Sequence, residues 1–105
     1  IMIHVGLKNI NRAIAEANSI IKTNLHIVDA INTMVRAQEM RHGGKPAYLG
    51  YMFAGKDPVA LDSFGLSMIK RVDAELSGLK PMDILHLRYS HEIGLGDSSY
   101  ETQKI

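Results

Sequence analysis

Ala54-Gly55-Lys56-Asp57-Pro58-Val59-Ala60-Leu61-Asp62 is the stretch on which the fold turns. The apolar run from Tyr48 to Ala54 ends at Gly55, a turn residue. Asp57 can then cap a helix, because its carboxylate accepts backbone N–H groups that the first turn leaves unpaired. Pro58 suits the first helical position, where its missing donor is not needed. The stretch therefore reads as a strand-to-helix junction, with a second carboxylate, Asp62, five residues beyond the cap.

Working outward, Pro58 to about Glu75 forms the following helix, with Val59, Leu61, Phe64, Leu66, Met68, Ile69 and Val72 as its apolar positions. These run round most of the circumference, so the helix is expected to be largely buried. Ser77-Gly78 breaks it. A third helix is expected over Pro81 to Glu92, with Gly94 as a left-handed cap. Gly94 to Ser99 is then a loop, and Tyr100 to Ile105 either begins a strand or stays outside regular structure.

Before the junction, Ala47 to Ala54 is apolar on both faces, as in a buried central strand. The turn His42-Gly43-Gly44-Lys45-Pro46 precedes it. Leu25 to Ala30 reads as a short strand, and Ile31 to Met40 as either a short helix or an ordered loop. Leu7 to Thr23 carries an apolar stripe at spacings of three and four, which predicts an amphipathic helix stopping near Asn24. The connection from Asp29 to Ala47 is long enough for the crossover that parallel strands require. The expectation is one α/β domain over residues 1–105, a small parallel or mixed sheet covered by about three helices. Two strands make a small sheet. Residues before Leu7, Tyr100–Ile105 or another subunit would complete it.

Bulk composition narrows the function classes. With 105 residues the chain holds one modest core. Its formal charge is +1 and no block of like charge appears, so nucleic-acid binding has little electrostatic support. No cysteine is present, which excludes disulfides, thiolate zinc sites, cysteine nucleophiles and iron–sulfur ligation within the chain, and agrees with a reducing cytoplasm. No apolar run reaches the roughly 20 residues a membrane span needs. The initial Ile is not a natural translation start, so the expectation is either that residues are missing before it or that the chain is an excised or tagged piece of something longer.

Three constellations can carry chemistry. If the two strands are parallel, Asp29 and Asp57 share the carboxyl edge of the sheet, where open α/β sheets bind ligands. With Asp62 they can hold a divalent cation such as magnesium, Asp29 and Asp62 being the metal candidates, or sugar-like hydroxyls. Capping alone also explains Asp57. Gly43-Gly44-Lys45 can cradle an anion with backbone amides and a cationic arm. It is not a P-loop, because Pro46 stands where a Ser or Thr should be, and an ordinary tight turn accounts for it as well. Gly94-Leu95-Gly96 can face a ligand, with His86 and His91 as second-rank partners, although helix capping is reason enough for Gly94. None of the five histidines is three or four residues from another, so no helix face offers a zinc pair, and His26 reads as a strand histidine without a catalytic part. No nucleophile elbow, metalloprotease helix or dinucleotide fingerprint occurs.

Several of these pieces stand in one order. Ile27-Val28-Asp29-Ala30, Gly43-Gly44-Lys45-Pro46, Leu49 to Ala54, Asp57-Pro58-Val59-Ala60-Leu61-Asp62, Pro81-Met82-Asp83-Ile84 and Gly94-Leu95-Gly96 resemble the carboxyl-terminal half of the domain of unknown function 362 family. Asp-Pro-Val-Ala-Leu-Asp is the most specific element. The resemblance covers roughly Leu25 to Gly96, and the first helix matches poorly. It implies an uncharacterised bacterial or archaeal protein whose relatives are often joined to ferredoxin-like iron–sulfur modules, hence a redox or cofactor-related role. Any cluster would sit on a partner or a missing segment. The resemblance carries over Asp29, Asp57 and Asp62, with no catalytic role attached to them.

Two functions stay open. One is a ligand-binding or catalytic half-domain with its site at the carboxyl edge of the strands. The other is a structural module that docks to a ferredoxin-like domain, to a missing amino-terminal half or to a second copy of itself. The second predicts an exposed apolar patch, on the first helix or around Tyr48, Tyr51 and Phe53.

Overall fold

The computed structural model describes residues 7–36 and 40–104. Its elements are α1 (Leu7–Ile20), β1 (His26–Val35), β2 (Lys45–Gly55), α2 (Pro58–Ile69) and α3 (Leu85–Glu92), with 3₁₀ turns at Met40–His42, Ala74–Leu76 and Pro81–Asp83.

Helix and strand mix as expected for an α/β chain, but the sheet is an antiparallel hairpin, neither parallel nor mixed. The reason lies in Ile31 to Val35. Helix or loop is the expectation for that segment, yet its β-branched Ile31, Thr33 and Val35 extend β1. Only residues 36–44 then remain before β2, fewer than the roughly dozen a parallel crossover needs. The pairing runs from His26 opposite Gly55 to Val35 opposite Lys45. It shifts register where Leu49-Gly50 faces Ile31, with Gly50 at φ +76°, the left-handed residue that such a bulge uses.

The chain leaves β1 through Arg36, which has the left-handed φ of +73°. Its N–H donates to the Asp73 carboxylate at 3.1 Å. Asp73 also accepts the N–H of Glu75 at 3.1 Å, and the residue is only 5% exposed. This buried carboxylate explains why α2 stops at Ile69 and not near Glu75. Asp73 is extended and caps the next 3₁₀ turn, which competes with helix continuation.

Pro81 to Glu92 is likewise divided. Asp83 turns back to accept the Lys80 N–H at 2.9 Å, and Ile84 is extended before α3 begins. Helix α1 ends at Ile20, short of Thr23, where Asn18 and Ser19 bond the carbonyls of Ile14 and Glu16. No strand forms over 100–104, and the residues before Leu7 and Ile105, candidates for completing the sheet, lie outside the described residues.

Helix α2 covers one face of the hairpin. Phe64 meets Phe53 edge-on at 4.9 Å and Tyr100 at 5.8 Å, which holds the tail against the helix. Helices α1 and α3 pack together, with Ala15 and Leu87 buried and the Arg12 guanidinium 5.1 Å from the Tyr89 ring centroid. Among the described residues the buried apolar side chains are Ala15, Val35, Val59, Leu61, Met68 and Leu87.

Candidate functional site

The strand-to-helix junction forms as the sequence predicts. Asp57 Oδ1 accepts the N–H groups of Val59 at 2.9 Å and Ala60 at 3.0 Å, and Pro58 stands at the first turn. Its other oxygen, Oδ2, accepts the N–H of Asp97 at 2.9 Å. Both oxygens are thus engaged by backbone donors, and the carboxylate ties the start of α2 to the loop after α3. That loop leaves α3 through Gly94, at φ +81°, and returns with the Leu95 N–H donating to Ser90. The Gly96 carbonyl accepts from Nδ1 of His91 at 3.0 Å. Gly96 must be glycine here, because a β-carbon would overlap the Asp57 carboxylate.

Beneath this junction lies a cleft of about 200 Å³. Its apolar wall includes Ile14, Val59, Leu87 and Leu95, and its polar groups are Asn18, His26, Asp62, His86 and Ser90. Asp62 sits beyond the cap on α2 and presents Oδ2 to His86 Nε2 across 3.5 Å. The two side chains are 58% and 33% exposed, so the pair is open to solvent at the mouth of the cleft. His26 lines the same space, half-buried, and its imidazole has no hydrogen-bond partner among the described residues.

The other sequence candidates lie elsewhere. Asp29 pairs with Met52 on the hairpin face opposite Phe53 and α2, and its carboxylate accepts the Ile31 N–H at 3.0 Å. In an antiparallel hairpin it does not share a carboxyl edge with Asp57, so the arrangement that joined Asp29, Asp57 and Asp62 does not form. Among the described residues no three of His, Asp and Glu are grouped closely enough to hold a metal ion, and Asp29 and Asp62 stand on different faces. Gly43 (φ +90°) and Gly44 end the connection between the strands and Lys45 opens β2, so all three lie at the opposite end of the hairpin from Gly55 and Asp57. They do not close over the cleft.

Sequence reasoning misses His26 and Asn18 as cleft residues. The signal for His26 is the register: only antiparallel pairing sets it opposite Gly55, beside the cap. His86, a second-rank candidate by sequence, is the residue facing Asp62.

The fold and site define an α/β domain in which a capped strand-to-helix junction and a glycine loop frame a small polar cleft. The chain belongs to the family Domain of unknown function (DUF362), whose match covers residues 1–67. The matched span includes α1, which the resemblance set aside, and stops inside α2, so α3 and Gly94-Leu95-Gly96 lie beyond it. No curated protein and no solved structure matches the chain. Among the described residues, no helix is long and apolar enough to cross a membrane.

Proposed function

We propose that this chain binds a small organic molecule bearing hydrogen-bond donors, an amine or a polyol, in the cleft at the start of α2. The observation that carries the reading is the Asp62–His86 pair at the mouth of an open cleft that His26 also lines and that has an apolar wall. A carboxylate is an acceptor only, and an imidazole can donate or accept, so together they match a ligand that presents donors. The apolar wall receives and orients the ligand's carbon skeleton, while the polar contacts form at the open mouth. Asp57 serves this site indirectly, because its bonds tie the start of α2 to the loop after α3, and both contribute residues to the cleft lining. A divalent cation would find Asp62 and His86 here and would need further ligands from the molecule it accompanies. An iron–sulfur cluster has no cysteine to bind it in this chain.

The test is a thermal-shift screen of amines, polyols and sugars against the chain and its Asp62→Asn and His86→Ala variants. A ligand that raises the melting temperature of the parent, and of neither variant, supports the site. Ligands that stabilise all three proteins equally place binding elsewhere.

A second reading, a docking module, is favoured by the hairpin itself. Tyr48 is 72% and Tyr51 41% exposed, while Phe53 is covered by Phe64.

A further inference from the structure

The hairpin has two faces, and among the described residues only one carries a helix packed on it. Val28 and Phe53 face α2, whereas Ile27, Asp29 and Met52 point the other way. On that outer face Ile27 is 67% and Met52 60% exposed, and Ile31, beyond Asp29, is 37% exposed. An apolar strip of this kind on a sheet is normally covered by a second layer, and α/β sheets take helices there.

The charge on the strip narrows the occupant. Asp29 is the sole carboxylate or cation of β1, and its cross-strand neighbour is Met52. Its carboxylate has one bond, from the Ile31 N–H, and no cation pairs with it among the described residues. Covering Asp29 with apolar groups alone would leave a desolvated charge without a partner, which is costly. A second copy stacked face to face across a two-fold axis would bring two Asp29 carboxylates together on this short strip, and like charges there oppose association.

We propose that the outer face of the hairpin docks an amphipathic helix of a partner protein that carries a lysine or arginine within its apolar stripe, the cation meeting Asp29. The proposal rests on the docking reading but moves its surface to the face away from Tyr51, which alternates onto the side of Phe53. Ile27, Ile31 and Met52 supply the apolar contact, and Asp29 sets the register of the helix on the sheet.

The probe is a labelled synthetic helical peptide with leucines at positions 1, 4, 5 and 8 of its stripe and one central lysine, compared with the same peptide carrying glutamate there. Fluorescence anisotropy is measured against the chain and its Asp29→Lys and Ile27→Ser variants, both changes being at exposed side chains. The expected result is saturable binding of the lysine peptide, about tenfold weaker binding of the glutamate peptide, and an inverted preference in Asp29→Lys. Equal binding of both peptides, lost in Ile27→Ser, would keep the docking face and overturn the charge complementarity. Absent binding, or binding indifferent to both variants, would remove the docking reading as well. A dimer of the chain that Ile27→Ser dissociates would make a second copy the occupant and overturn the proposal.

Discussion

Gly96 lies against the Asp57 carboxylate so closely that it has no room for a β-carbon. The contact joins two motifs that are separate in sequence, the helix cap at 57 and the glycine loop at 94–97. Asp57 reaches the loop through the Asp97 N–H, 40 residues away, with the same carboxylate that caps α2.

Gly96→Ala is therefore expected to lower the unfolding free energy by about 1–3 kcal/mol, the usual cost of forcing a methyl group into filled space. In an Asp57→Gly background the overlap disappears, and the same substitution should cost less than half as much. Urea denaturation of the four proteins measures this coupling. An equal cost in both backgrounds would show that Asp57 is not what Gly96 meets.

Gly50→Ala tests the bulge. The new methyl would lie 2.9 Å from the Tyr48 ring, but that ring is exposed and can swing aside. What remains is the backbone, held at φ +76°, for which an alanine costs about 1–2 kcal/mol. Gly50→Asn should cost less, because asparagine tolerates this conformation. Equilibrium unfolding that ranks asparagine below alanine would contradict a left-handed residue at the bulge.

Asp73→Ala should be the most damaging of these changes, at about 2–4 kcal/mol. It removes the acceptor from two backbone N–H groups, those of Arg36 and Glu75, at a nearly buried position. Asp73→Asn keeps an acceptor oxygen and should recover at least half of the loss. Thermal unfolding of the two variants decides it, and equal losses would mean that charge, not acceptance, is what the site needs.

Local chemistry is legible in the sequence where one residue determines one conformation. Asp57-Pro58 sets the start of α2, and Gly94 takes its left-handed cap. Strand pairing is not legible in the same way. Ile31 to Val35 fits a strand, a helix or a loop by local preference, and only tertiary contact with β2 selects the strand. That one segment changes the sheet from parallel to antiparallel, moves Asp29 away from Asp57 and brings His26 to the cleft. Asp73 is equally hidden, since its role depends on Arg36, at the far end of the hairpin. Of the candidate site, Asp62 and His86 can be named singly, but their meeting needs α2 and α3 to be packed.

The central claim is that Asp62 and His86 form a ligand site and not a structural pair. An open pair of this kind contributes no more than about 1 kcal/mol to stability. The direct measurement is an amide NMR titration of the chain with the tightest amine or polyol from the thermal-shift screen, repeated on Asp62→Asn. Saturable shifts at His26, Asp62, His86 and Leu95 in the parent, absent from a variant that is as stable to within that margin, are the predicted result. A dispersed spectrum in which the same ligand moves none of these amides, or moves them equally in both proteins, would contradict it.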